Sequence, residues 1–500
     1  MKRLSPQLIK ECTLLFLVGA CLSVAQFIMI RDFVAILYGE EVVIVLVTSA
    51  FFTGLSIGYL LSRRLSQSAF KFLFLASIFI HLTFPFSYRY FAVYISDNGD
   101  SGVAYMGLMF AYALLFSSMF ACFLPQLVHG ESDGATPLQR LKIFYTAELS
   151  GFVMGFVLIG WSWNQDLGPL LMVYWFLLTI VLYLALEDKV FTAIFAVLAI
   201  WSSFQVDARD TRSSELLYEY KHGKDDIELL YSVNSPYQKV EVLKNSRDEK
   251  YLYLDGLQNL NSSDLEVLNH YIAKVPAKLT QPERALIIGN GTLSSVSKVY
   301  PYTKKLTSVE LDPGVLKAGR KYFTPPEKLK GLDRWNLTID DGKHFLKTSK
   351  EKFDLVIMDI PSPLTVQEAI LHTAEFYRLV RSRMDEHGVI AVQLSGPLQH
   401  NNRTPARVTA ALSMAFKQVM ALDSEEGDRS FAYASDKLPF TIKDVRRVTD
   451  DFEDEDSLTI IPPDQVPGYL TKAQALQIDT LDLVLRRGWE RFMDRYFEED

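Results

Sequence analysis

Long apolar runs crowd the first 206 residues of this 500-residue chain, and charged residues are dense after them. The runs read as helices over Thr13–Ile30, Val42–Leu61, Phe72–Tyr90, Val103–Val128, Ala147–Trp163, Gly168–Leu186 and Val190–Val206. About 18 apolar residues suffice to cross a bilayer as a helix, because every backbone polar group is then satisfied within the segment. One such run could be a buried core helix; seven in succession, joined by short polar links, predict a multi-span α-helical membrane domain over residues 1–206. The first run is not a cleaved signal, since no small-residue cleavage site follows it.

Lys2, Arg3 and Lys10 precede the first run, Arg63, Arg64 and Lys71 follow the second, and Arg140 and Lys142 precede the fifth. The intervening loops carry almost no Lys or Arg. That asymmetry puts the N-terminus in the cytoplasm. Seven crossings would leave the rest of the chain outside, whereas six or eight would leave it inside. We expect a multi-pass inner-membrane protein with a cytoplasmic soluble half, which requires the spans to be miscounted by one. Glu40, Glu41 and Glu148 are expected at or near span ends, in contact with solvent. Gly151, Gly155 and Gly160 predict close helix packing. Cys12, Cys21 and Cys122 lack metal-ligand spacing and read as packing residues.

The charged half divides by rhythm. From Leu216 to about Asp264, alternating runs such as "SPYQKVEVLKN" and "KYLYLDGLQNL" predict a small antiparallel sheet, a domain of residues 210–275. From Arg284, "ALIIGNG", "LTSVELDP", "NLTIDDG", "DLVIMDI" and "GVIAVQL" recur between helical segments, the pattern of a parallel, Rossmann-like sheet over 276–440. Residues 441–500 are acidic and read as a helical extension without chemistry. A net charge of -8 argues against a nucleic-acid partner.

In such a sheet, ligands sit at the carboxyl ends of the strands. The first strand ends in Gly289 and Gly291, which allow close backbone approach. The second ends in Glu310, placed for the two hydroxyls of a ribose. The third ends in Asp340 and Asp341, placed to accept from an adenine amino group, and the fourth in Asp359. No complete phosphate-cradling pattern is present, and four acids would repel a pyrophosphate. A positively charged adenosine, such as the sulfonium S-adenosylmethionine, fits better.

Between about Tyr231 and Asp436 the chain resembles the spermidine synthases, the polyamine aminopropyltransferases. The resemblance rests on "SPYQKV", "LYLDGLQNLNSSD", "VELDPGVLKAGRKYF", "IDDGKHFL" and "DLVIMDIPSP", in that order. The apolar half is similar to the membrane domain fused to this enzyme in some bacteria. The resemblance implies that Gln238 and Glu310 hold the nucleoside, that Asp340 and Asp341 meet the adenine, and that Asp359 is catalytic. It implies decarboxylated S-adenosylmethionine as co-substrate, a small amine as acceptor, no permanently bound cofactor and no metal. A homodimer or homotetramer is the expected assembly. The departures fall at the amine site. Thr292 and Ser362 stand where the family has acids, and Leu268, Asn269 and His270 replace its Tyr-His/Gln-Glu. Of the three, Asn269 joins Thr292 and Ser362 as a candidate contact for the amine. Three functions stay open: an aminopropyltransferase, a methyltransferase using intact S-adenosylmethionine, and a membrane transporter or sensor with a nucleoside- or polyamine-binding domain.

Overall fold

Ten helices open the chain in the computed structural model, which describes residues 5–37, 40–97, 102–129, 136–162, 167–222, 226–360, 363, 366–394, 396–424, 430–449 and 458–480. They are α1 (Pro6–Leu37), α2 (Glu40–Leu61), α3 (Gln67–Thr83), α4 (Phe86–Asp97), α5 (Gly102–Ala121), α6 (Phe123–Val128), α7 (Pro137–Ser162), α8 (Leu167–Leu186), α9 (Lys189–Ser203) and α10 (Val206–Lys221). By contacts the chain forms two units. The first holds residues 1–239 and 255–257 of the described chain, and the second 240–254 and 258–480.

In the first unit, five helical stretches are long and apolar enough to cross a membrane: residues 6–36, 42–61, 104–128, 137–162 and 167–186. The other two runs expected as straight spans are bent pairs. The α3–α4 pair turns by 85° and α9–α10 by 67°. The second bend follows from composition, because α10 carries Asp207, Arg209, Asp210, Arg212, Glu215, Glu219 and Lys221 and cannot continue an apolar helix. Side chains start α3 and α9: Ser66 accepts from the Ala69 N–H, and Asp188 from those of Val190 and Phe191. Arg89 on α4 is buried and donates to Asp32 on α1 at 3.0 Å. It also donates to Asp210 on α10 at 2.6 Å and to Ser213 and Ser214 at 3.0 and 3.1 Å.

Helices α1 and α7 meet along small residues. A Cβ added at Gly19 or Gly151 would collide with backbone of the facing helix, and one at Gly155 would lie 2.5 Å from the Ser23 Cβ. Gly160, expected to share this role, has open space around it. The cysteines are free thiols; Cys21 and Cys122 are buried in the helical core. Glu40 and Glu41 start α2, but their side chains lie outside the described residues. Glu148 is corrected. It sits mid-way along α7 on the buried face, not at a span end.

The twelve strands are β1 (Ile227–Asn234), β2 (Lys239–Asn245), β3 (Lys250–Leu254), β4 (Leu257–Asn261), β5 (Arg284–Ile288), β6 (Lys305–Glu310), β7 (Trp335–Ile339), β8 (Phe353–Met358), β9 (Met384–Gln393), β10 (Gln418–Ser424), β11 (Ser430–Ser435) and β12 (Leu458–Ile461). The small sheet begins only at β1, because Leu216–Lys221, read as strand-like, completes the amphipathic α10. In the second unit β2 and β3 pair antiparallel, Val240 opposite Leu254.

The large sheet has the order β12-β10-β11-β9-β8-β5-β6-β7. Its five strands from β9 to β7 run parallel, and β11, β10 and β12 extend it antiparallel. Alternate residues face two separate cores. Leu286, Ile288, Val356 and Met358 enter one; Ala285, Ile287, Leu355 and Ile357 enter the other. Burial on both faces explains the near-continuous apolar strands. The stretch after residue 440 is corrected. After one helix (Ile442–Thr449) it supplies β12 to the sheet edge, because Leu458–Ile461 is a short β-branched run that pairs with β10. Residues 450–457 and 481–500 lie outside the described residues.

Candidate active site

The strand order reverses at β5, whose neighbours β8 and β6 are reached by connections running in opposite directions. This is the switch point where parallel sheets open a crevice. Gly289 leaves β5 with φ +84°, and its N–H donates to the Val309 carbonyl at 2.9 Å. A Cβ there would collide with Ile360 and approach the Asp359 carbonyl oxygen to 2.7 Å. Glycine is therefore required twice over, by backbone angle and by the close neighbouring strand. The Asp359 N–H donates to the Ile288 carbonyl at 2.9 Å, which pins that residue beside the β5 terminus.

Asp359 is partly buried at the crevice, and its Oδ2 accepts from the Ser295 hydroxyl at 2.6 Å. Burial pushes its carboxyl up to about 6, against the opposing pull of that hydrogen bond. Ser295 is fully buried and also approaches the Asn269 Oδ1, at 2.9 Å. The Ser294 hydroxyl lies 3.4 Å from the same oxygen and 2.7 Å from the Thr292 hydroxyl. Thr292, Ser294, Ser295, Asn269 and Asp359 thus form one polar chain with a single carboxylate. His270 beside it is buried, which lowers its imidazole to about 4 and keeps it neutral. Ser362 lies outside the described residues.

At the end of β6, Glu310 is buried and its Oε1 accepts from the Asp312 N–H at 2.9 Å. Burial pushes its carboxyl up to about 7, with the charges of Asp312 and Asp359 adding to the rise and the backbone hydrogen bonds opposing it. A Cβ at Gly291 would collide with the Val315 side chain, and the Glu310 Oε2 lies 3.4 Å from the same point. Asp340 follows β7, accepts from the Asp341 N–H at 2.8 Å and pairs with the His344 Nδ1 at 2.8 Å. Asp341 has a second, local role. Its Oδ1 caps the helix Gly342–Thr348 by accepting from the His344 N–H at 2.7 Å. Gln238 belongs to the first unit, where its carbonyl accepts from the Ser235 N–H at 2.9 Å; it is not among the residues that the second unit gathers.

Sequence reasoning missed two residues. Ser295 is the direct partner of Asp359, and its signal was the hydroxyl-rich "GTLSS" following the strand. Asn290 is 1 % exposed, yet neither its Oδ1 nor its Nδ2 has a hydrogen-bond partner. A buried amide left unpaired costs about 1–3 kcal/mol, so a polar ligand that satisfies it gains that much. The donor set, with Asn290 as the orphaned group and Glu310 as a buried acceptor, fits a nucleoside. Among the described residues no three His, Cys, Asp or Glu side chains converge to hold a metal ion.

Residues 266–422 match the spermine/spermidine synthase domain. A polyamine aminopropyltransferase of Oceanobacillus iheyensis is 27% identical over 292 residues, covering 55% of this chain and 56% of that protein. The enzyme of the same name from Sulfurisphaera tokodaii is 29% identical over 240 residues, 44% of this chain and 75% of its own length. That of Saccharolobus solfataricus is 32% identical over 187 residues, 36% and 62% respectively. The match to the Oceanobacillus protein thus spans little more than half of that relative. Among solved structures, a spermidine synthase in complex with the transition-state analogue AdoDATO aligns with a TM-score of 0.39 at 23% identity, over 48% of this chain and 87% of that one.

Proposed function

Because the chain belongs, through residues 266–422, to the spermine/spermidine synthase family, we propose that it is a membrane-anchored aminopropyltransferase. It moves an aminopropyl group from decarboxylated S-adenosylmethionine to putrescine or a related amine, releasing methylthioadenosine. The observation that carries this reading is Asp359. One carboxylate stands at the switch-point crevice, held by Ser295, with its pKa of about 6 just below neutrality. An amine arrives protonated, with a pKa near 10, and must lose a proton before it can attack. Asp359 is ionised at neutral pH and within the range that suits a general base. It anchors the ammonium and takes the proton; the freed nitrogen lone pair attacks the carbon next to the sulfonium. The carbon–sulfur bond breaks, and its electron pair leaves on the thioether. Glu310 receives the ribose hydroxyls, and Asn290 satisfies its amide on the nucleoside.

Incubating the full-length protein with decarboxylated or intact donor and a panel of amines tests the reading. Methylthioadenosine and an aminopropylated amine are expected from the decarboxylated donor alone. A methylated product from the intact donor would replace this reading with a methyltransferase. A second reading, a donor-binding unit that transfers nothing, is favoured by the neutral chain Thr292–Ser294–Ser295–Asn269, which offers hydroxyls and an amide where a cationic amine prefers carboxylates.

We place the second unit in the cytoplasm. Helix α9 has 15 residues and rises only about 22 Å, short of a ~30 Å hydrocarbon core. It then turns into the polar α10. Counting the α3–α4 pair as one crossing and α9–α10 as none gives six, with the donor-binding half on the N-terminal side of the membrane.

A further inference from the structure

The buried face of α7 runs Arg140, Phe144, Glu148, Gly151, Gly155, Ile159, Ser162, a single stripe at helical spacing. Two ionisable residues lie on it, and they differ. Arg140 is neutralised, donating to Glu11 on α1 at 3.1 Å. Glu148, two turns further into the apolar bundle, is 3 % exposed, and its Oε1 is buried without a hydrogen-bond partner. No ion pair reaches it among the described residues. The other buried acids of this unit, Glu11 and Asp32, are each paired with an arginine. A second oxygen on the same seam, the Ser23 Oγ opposite Gly155, is also buried and unpartnered.

An ionised carboxylate without a partner in such a place would cost several kcal/mol, so the group stays neutral or takes up a cation. Among the described residues no basic side chain pairs with it. Its ionisable neighbours among them are Tyr59 on α2 and Tyr145 on α7 itself. Neither of these neutralises a carboxylate. Ionisable groups in the middle of apolar helices line ion or substrate paths.

We propose that Glu148 is a proton-exchanging cation site of the helical unit: its carboxyl gives up a proton when a monovalent positive group, an alkali ion or an alkylammonium, binds at the carboxyl beside the α1–α7 seam. The inference rests on reading this unit as membrane-embedded, and it is independent of whether the second unit transfers an aminopropyl group.

The test uses the full-length protein in detergent micelles in weakly buffered solution near pH 7. Sodium, potassium, putrescine or choline chloride is added, and proton release is read with a pH dye. Release is expected with at least one of the first three, not with bulky choline, and is expected to be lost in Glu148→Gln. The sodium, potassium and putrescine arms separate an inorganic ion from an amine. A second measurement needs no variant. Dicyclohexylcarbodiimide should label Glu148 in the wild-type protein, read by peptide mass spectrometry, and the releasing cation should protect it. No proton release by the wild type, equal release by the variant, or labelling indifferent to every cation would overturn the proposal and leave Glu148 a structural, permanently protonated carboxyl.

Discussion

Ser295 shows how one hydroxyl sets the working range of a carboxylate. It donates to Asp359 and opposes the upward push of burial. Ser295→Ala should therefore raise the Asp359 pKa above about 6 and move the acidic limb of the pH–rate profile to higher pH, with little change in nucleoside affinity. Glu310 gives a second pH signature. Its pKa is raised to about 7 in the ligand-free fold, and a ribose diol donates to the ionised form. Below that value a proton must leave before the nucleoside binds, so methylthioadenosine affinity should fall by up to about tenfold per pH unit. Calorimetry from pH 8 down to pH 5.5 checks this. Glu310→Gln should flatten the profile and weaken binding at pH 8 by about 1–3 kcal/mol. The same shifts make the ligand-free fold bind more protons than the unfolded chain between the ordinary carboxylate range and about pH 7, so these two groups reduce stability as pH rises through that window. The acids at the strand ends were legible because a strand that stops on a carboxylate leaves a simple mark in sequence. The capping role of Asp341 was not, since a helix cap and a ligand contact look alike in sequence and the His344 N–H that takes its Oδ1 is visible only in the fold.

Elements pack as closely as their smallest residues allow, and the α1–α7 seam makes that testable. Gly151→Ala puts a methyl group into the backbone of Phe16, which cannot swing away. It should lower the thermal stability of the helical unit by about 1–3 kcal/mol, the usual cost of overpacking. Gly160→Ala meets open space and should be neutral or slightly stabilising, through its better helix propensity. Thermal unfolding in one detergent compares the two. Residue type marked both glycines alike, but at 100° per residue Gly160, nine positions on, lies on the face opposite Gly151 and is exposed. Sequence spacing found β5, β6, β8 and β9, whose apolar runs are buried on both faces. It missed β12, which is four residues long and lies beside an acidic stretch that reads as helix.

At the scale of the molecule, the division into an apolar and a charged half near residue 206 was plain from composition, whereas the contact units part at residue 239. What composition left open was the number of crossings, because the α3–α4 and α9–α10 bends depend on where polar residues interrupt an apolar run. Reporter fusions after Leu186 and after Lys221 should both read as cytoplasmic if α9 does not cross. Reporters on opposite sides would restore it as a span. The central claim is that Asp359 anchors and deprotonates an amine. Asp359→Asn keeps size and turn-capping ability but cannot accept the proton. It is therefore the substitution to measure, with aminopropyl transfer to putrescine and methylthioadenosine affinity read on the same preparation. The account predicts that transfer falls by about 10²–10⁴-fold while affinity stays within a few-fold of wild type. Equal transfer by both proteins would contradict it.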